Sequence, residues 1–560
     1  MSKHFFDWTD YLTMFTLLAA SIGIGIFLAC TGGKQKTTSE FLLGDRKMNL
    51  IPVALSCMVS YLSGISILGY AAEVAYFGTQ LMVGIFGQIV GGVFCAFTIV
   101  PFLHKLGYLS INQYLEERYR SKVVKYIGTG TQIINALVLS GISLFPPSVA
   151  IHRVTGISVW SCVVILGITC TFYTTLGGIK AVIWTDVIQT GSIVIGLLVI
   201  NIRAFLAVES YDLIIERVKA SGKIKFFDIN LSLLERFTLP ATLVAYFTVS
   251  FFFNGCSQTV AQRIASVPTP KDAKRMILLS AISSTLCVIL CCTGGLAAYF
   301  YYESIGCDPL PSGKIKSTDE ILIYLVGDIF DQPCILGVII TVLISGTLSN
   351  NSSAMSSISA IVWNDILMKF FSRVTEKTKA LINKLIVVIC GVLAILMGIT
   401  FSYLKGTLLK NTITFMSITW LPICSFPLAG AFFPFISSRS ILLANFLSCA
   451  FISWISLGSF FNATQSKPIT FSTTNCTNYT EPTISSFLNE TTFDDRSIVQ
   501  KYFYGISYIW YPALGLSTTI ILALLFSIIP LMRDRKVEKK YVISWVRRFI
   551  KDYDEEVPLK

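Results

Sequence analysis

The chain has 560 residues, 53% of them apolar and 14% charged, against about 25% charged in an ordinary soluble domain. Its apolar residues arrive in blocks of about 20, the span of a hydrocarbon core, which excludes a soluble enzyme and a disordered scaffold. The formal net charge of +12 would suit nucleic acid on one compact face, but it lies in alternate loops without interleaved aromatics, so the expected partner is a lipid bilayer and no nucleic acid.

Thirteen apolar runs follow in chain order, near 8–30, 47–72, 79–103, 122–146, 155–176, 180–207, 237–262, 273–300, 331–365, 381–405, 411–436, 441–461 and 506–530. The first has no basic region before it and no small-residue cleavage pattern, so it reads as a retained helix and not a removed signal. The expectation is an all-α polytopic membrane protein with about 13 transmembrane helices.

Basic residues choose the orientation. Lys105, Arg118, Arg120, Lys122 and Lys125 share one loop, Arg263, Lys271, Lys274 and Arg275 a second, and Lys369, Arg373, Lys377, Lys379 and Lys384 a third. With Arg533, Arg535 and Lys536 in the tail they mark the cytoplasmic side, leaving the N-terminus extracellular and the C-terminus cytoplasmic in a multi-pass plasma-membrane protein. The sequons at Asn230, Asn462, Asn475, Asn478 and Asn489 all fall in loops this topology puts outside, where they read as glycosylation sites. Most cysteines, such as Cys57 and Cys291, lie in apolar runs and act as small hydrophobes; Cys307 and Cys476 lie in outer loops, where a bridge is left open. The last segment, with Lys539, Trp545, Arg547 and Arg548, reads as a solvated tail or an inner-leaflet contact.

Two runs carry small polar residues at mid-depth, Ser60-Tyr61-Leu62-Ser63-Gly64-Ile65-Ser66 and Phe253-Asn254-Gly255-Cys256-Ser257-Gln258. Each opens a group of five runs, the pointer to an inverted-repeat transporter with five helices in each half. Residues 1–46 form a first helix and inner loop, 47–207 the first repeat, 208–236 an outer loop and 237–436 the second repeat. Residues 437–530 add two helices around an outer loop at 462–505, and 531–560 form the tail. Freed carbonyls at such breaks suit a hard cation. The ninth run supplies Ser345-Gly346-Thr347-Leu348-Ser349-Asn350-Asn351-Ser352-Ser353, in which Gly346, Ser349 and Asn350 share a helical face; hydroxyls bonding their own helix remain the alternative.

At these residues the chain resembles the sodium/solute symporters, which share the LeuT-like five-plus-five inverted repeat. The stretch Cys170-Thr171-Phe172-Tyr173-Thr174-Thr175-Leu176-Gly177-Gly178-Ile179-Lys180-Ala181-Val182-Ile183-Trp184-Thr185-Asp186-Val187-Ile188-Gln189 is similar to the family signature. Val154-Thr155-Gly156, Gln258 with Gln262-Arg263, and Cys307-Asp308-Pro309-Leu310 look most like the branch of sodium/iodide, sodium-coupled monocarboxylate and sodium-dependent multivitamin transporters.

The resemblance implies a sodium site on the carbonyls of Val59, Leu62 and Gly346 and the side chains of Ser349 and Asn350, the last where the family usually has Ser or Thr. It implies an ion exit path at Asp186, with an ion pair to Lys180 as the alternative, and an inner gate at Phe253. A second sodium site or substrate pocket falls on Ser63, Ser66, Phe145, Gln258 and Phe426. Ser66, Phe145 and Phe426 depart from the branch pattern and imply a smaller or more apolar cavity, making iodide a poor substrate. His152 and Arg153 stand near the outer mouth as an anion attractor or a headgroup contact.

The implied function is symport of Na+, the co-transported ion, with a small organic anion, a monocarboxylate or carboxylate vitamin. A sodium-binding sensor without transport and a sodium symporter for a neutral solute remain alternatives. A channel would want a filter or rings of one residue type. An enzyme is not expected, with three histidines and no H-E-x-x-H, G-x-S-x-G or phosphate loop. The sequence leaves the oligomeric state open.

Overall fold

The computed structural model describes residues 7–31, 37–208, 216, 224–330, 335–371, 373–401, 407–462, 471–476, 497–532 and 537–549, and among these every regular element is a helix. Asn478 and Asn489, with Arg533, Arg535 and Lys536, lie outside the described residues. The elements that position the site are α1 (Trp8–Cys30), α2 (Leu50–Val59), α3 (Gly64–Phe77), α4 (Gly84–Phe97), α5 (Ile111–Tyr119), α6 (Lys122–Thr155), α7 (Val159–Leu206) and α8 (Leu239–Phe251). They continue with α9 (Gln258–Ser266), α10 (Pro270–Ile305), α11 (Ile335–Ile361), α12 (Glu376–Phe401), α13 (Leu408–Phe432), α14 (Ser438–Phe461) and α15 (Tyr511–Ile528).

The bundle is apolar outward and polar inward, as lipid on the outside requires. On α4 the exposed residues Phe86, Val90, Val93 and Phe97 recur every three or four positions, tracing one face. The centre is α11, whose residues from Val342 to Ile361 are all buried although they include Ser345, Thr347, Ser349, Asn350, Asn351, Ser352 and Ser353. It packs most extensively against α7, and also against α1, α6 and α12.

Eleven helices among the described residues are long and apolar enough to cross a membrane, and twelve if the bent pair α2 and α3 is one span. The thirteen runs are therefore not reached by length and apolarity alone, because the fifth and sixth share the 48-residue α7. That helix would be about 72 Å long if straight. Yet Tyr173 donates to the Leu348 carbonyl and Gly196 packs on Val342, placing both arms of α7 against two turns of α11. The chain turns back at Gly178, whose φ of +57° and ψ of −155° a residue with a Cβ avoids.

Both expected interruptions are present. α2 ends at Val59, Ser63 is extended, and α3 departs at 56°. Ser60 takes part through its hydroxyl, which donates to the Ser56 carbonyl at 2.7 Å. In the second half the turn over Phe252–Cys256 is over-wide, Ser257 is extended, and α9 begins at Gln258. Cys307 and Cys476 are joined by a disulfide. In the last segment Tyr541, Val542 and Ile543 are buried, Ile543 N–H bonds the Ala431 carbonyl, and Tyr541 donates to Glu117 at 2.5 Å, while Trp545 and Arg548 are exposed.

Candidate functional site

The break between α2 and α3 lies directly against α11. A Cβ built on Gly346 would fall 2.7 Å from the Leu62 carbonyl oxygen and 3.2 Å from the Ser63 carbonyl carbon. Asn350 closes the same contact by donating from Nδ2 to the Ser60 carbonyl at 3.4 Å, which leaves that bond no claim on its amide oxygen. Ser349 Oγ is fully buried and faces the Asp186 carboxylate. That hydroxyl, the carboxylate and the carbonyls freed at the break are oxygen donors of the kind a hard cation takes. The structure thus brings Leu62, Gly346 and Asn350 to one junction; Val59 ends α2 with its carbonyl accepting from the Leu62 N–H at 3.1 Å, and Ser349 precedes Asn350 on α11.

Beside it lies a cavity of about 110 Å³, well below the roughly 300–1,000 Å³ of drug-sized pockets. Its wall includes Leu62, Ser63, Ser66 and Asn350 from the junction, Phe253 and Asn254 from the second break, and Trp420 from α13. None of the lining residues is charged. The first turn of α3 faces it through Ser63, Ile65 and Ser66, and no side chain caps that turn, so its amides present partial positive charge.

Three expected pocket residues stand elsewhere. Gln258 donates to the Leu109 carbonyl at 2.7 Å and accepts from the Ile111 N–H at 3.2 Å, anchoring α5, while Ser257 caps α9 by accepting from Val260. Phe426 is fully buried among Tyr114, Leu115 and Ala429, far from the cavity wall. Phe145 is half-buried and does not line the cavity. The Gln258 and Phe426 side chains face helix contacts instead, an orientation no single sequence specifies.

Phe253 lines the cavity and packs on Tyr61, ring centroids 4.7 Å apart, and on Trp420 at 5.8 Å. Tyr61 also donates toward the Phe253 carbonyl and Asn254 Oδ1, each at 3.3 Å. Tyr61, Asn254 and Trp420 were not singled out from sequence; the first two sit inside the quoted breaks, whereas Trp420 carries no signal beyond its apolar run.

Asp186 is fully buried, but its partner is not Lys180. Lys180 pairs with Glu40 at 3.1 Å and Asp45 at 3.3 Å, and Asp186 accepts from Ser56 and, at 3.2 Å, from Arg263. Arg263 is thus in the core, not in a loop with Lys271 and Arg275. At the other end, Arg153 pairs with Glu320 at 2.5 Å and His152 bonds the Ile157 carbonyl, so neither is an uncommitted anion attractor. Asn230, Asn462 and Asn475 are exposed.

The family described as sodium:solute symporter matches residues 41–418. Sodium-coupled monocarboxylate transporter 1 of Homo sapiens is 30% identical, with 97% of this chain and 91% of that protein covered. The Homo sapiens sodium/iodide cotransporter is 28% identical over 92% of this chain and 83% of its own. Among solved structures, a substrate-bound, outward-open Na+-coupled sialic acid symporter superposes with a TM-score of 0.75 at 20% identity, covering 95% of this chain and 99% of that one, which shows a shared fold.

Proposed function

Because the chain belongs to the sodium:solute symporter family, we propose that it imports a small organic anion with Na+ across the plasma membrane by alternating access. The observation that carries this reading is the junction of the broken second run with α11, where Gly346 meets Leu62 and the buried Ser349 hydroxyl faces Asp186. Sodium there draws the break against α11. The solute binds next door, in a cavity that shares Leu62, Ser63 and Asn350 with the junction, so either ligand orders part of the other's site and the two bind cooperatively.

A cavity of this size and apolarity supports a short monocarboxylate or carboxylate vitamin, and the likeness to sodium-coupled monocarboxylate transporters agrees with the first. One carboxylate would rest on the uncapped amides of α3; a dianion would want a charged partner. The same uncharged wall is what favours a neutral solute as the second reading. Phe253 and Tyr61 form the thin wall on one side of the cavity and serve as the inner gate. The extracellular N-terminus, cytoplasmic C-terminus and glycosylated outer loops complete the topology.

With a potential of about 60 mV and a tenfold sodium gradient, each Na+ supplies roughly 2.8 kcal/mol and a monoanion costs about 1.4 to bring in. One sodium then supports about tenfold accumulation and two about a thousandfold. The test is uptake of lactate, butyrate, nicotinate, biotin, pantothenate and iodide into proteoliposomes with currents recorded. Sodium-dependent accumulation of a monocarboxylate supports the proposal; saturable binding without accumulation would mean a sensor.

A further inference from the structure

Arg263 on α9 is 2% exposed and touches four elements at once. Its Nη2 lies 2.7 Å from Ser353 Oγ, 2.8 Å from Ser56 Oγ, 2.9 Å from Ser60 Oγ and 3.2 Å from Asp186 Oδ2, while Nε donates to Ser56 Oγ at 2.9 Å. A single Nη2 carries two hydrogens, so four acceptors compete for them and the guanidinium can trade partners without leaving its place. Burying a permanent cation is costly unless it is paired, and Asp186 is the carboxylate it meets.

The surroundings of this group coincide with the proposed sodium junction. Ser56 and Ser60 lie on the last turn of α2 and in the break, with Val59 and Leu62 on either side of Ser60. Ser353 lies one turn beyond Ser349 and Asn350 on α11. Because α2 and α11 run in opposite directions in the proposed topology, Ser56 and Ser353 fall on the same, cytoplasmic side of the junction. Asp186 and Ser349 are both fully buried and face one another. A sodium ion moving inward from the junction would meet those two side chains and then the guanidinium.

We propose that Arg263 is a positioning residue for sodium coupling, a tethered cation that neutralises Asp186 and, held by Ser56, Ser60 and Ser353, closes the inner end of the sodium path. This inference rests on the sodium-symport reading and adds to it the element that holds sodium back until the solute is bound.

The test uses the full chain in proteoliposomes loaded with radioactive sodium. Efflux is measured without any solute, alongside external-sodium activation of uptake. Arg263→Gln should raise solute-free efflux about tenfold, and Arg263→Lys, which keeps the charge but loses the planar fork, should raise it about threefold. Arg263→Gln leaves Asp186 buried without its partner and risks misfolding, so Arg263→Gln with Asp186→Asn is measured beside it; the pair removes both charges and should leak like the single variant. In Arg263→Lys external-sodium activation should change by less than about twofold, which a merely structural role would not spare. Parental efflux in the double variant or in Arg263→Lys would overturn the proposal, as would a larger leak in Arg263→Lys than in the double variant. Absence of sodium-dependent uptake by the unsubstituted protein would strike the symport reading itself.

Discussion

Gly346 and Leu62 touch backbone to backbone: a Cβ at 346 would stand 2.7 Å from the Leu62 carbonyl oxygen. Both partners are backbone-fixed, so the smallest substitution must move one of them. Gly346→Ala should part α11 from the break at a cost of about 1–3 kcal/mol, raising the sodium concentration for half-maximal uptake at least about fivefold while the protein still reaches the membrane. Sodium titration of uptake checks this.

Glu73 on α3 is 1% exposed and is held by Arg236 through two bonds, of 2.5 and 2.9 Å. The guanidinium also sits 3.6 Å over the Phe77 ring. Removing one partner of a buried pair leaves the other charge uncompensated, worth about 3–5 kcal/mol. Arg236→Ala should therefore lower yield and thermal midpoint sharply, and Arg236→Lys, which cannot make the bidentate contact, should recover only part. Thermal unfolding in detergent reads both.

Asp319 lies in the loop between α10 and α11, where burial pushes its carboxyl up to about 7 from its ordinary 3.8. It accepts from the Leu408 N–H at 2.9 Å, while Oδ1 has no partner. The folded state binds the proton more tightly than the unfolded one. Stability is therefore greatest below about pH 4, falls as pH rises toward about 7 and is lowest above it. Asp319→Asn should remove this slope and stabilise the protein at pH 8. Thermal midpoints between pH 5 and 8 decide it; an unchanged slope would contradict the account.

Phe253 lines the cavity and Phe426 does not, so truncation should separate them. Phe253→Ala should admit larger solutes. Phe426→Ala should cost about 3–5 kcal/mol of stability with selectivity unchanged. Competition of uptake by a series of lengthening carboxylates distinguishes the two.

What the sequence revealed and what it hid follow from one distinction. The breaks at Ser60 to Ser66 and Phe253 to Gln258, and the polar face of α11, were legible because small and polar residues at mid-depth are anomalous in lipid. The contact of the break with α11 was legible because Gly346 leaves room for the Leu62 carbonyl. Side-chain direction was not. Gln258 and Phe426 belong to inner helix contacts, and Arg263 was read as a loop cation because basic residues near span ends normally are. Its five-residue distance from the break at Gln258 was the available signal. The turn at Gly178 was legible as the gap between the fifth run, ending at 176, and the sixth, starting at 180.

The measurement closest to the central claim is uptake of a radiolabelled monocarboxylate into proteoliposomes under an inward sodium gradient, comparing the parent with Ser349→Ala. The account predicts accumulation that disappears when potassium or choline replaces sodium, and a Ser349→Ala protein that inserts normally but needs several-fold more sodium for the same rate. Equal uptake in sodium and potassium, or a sodium requirement untouched by Ser349→Ala, would contradict it.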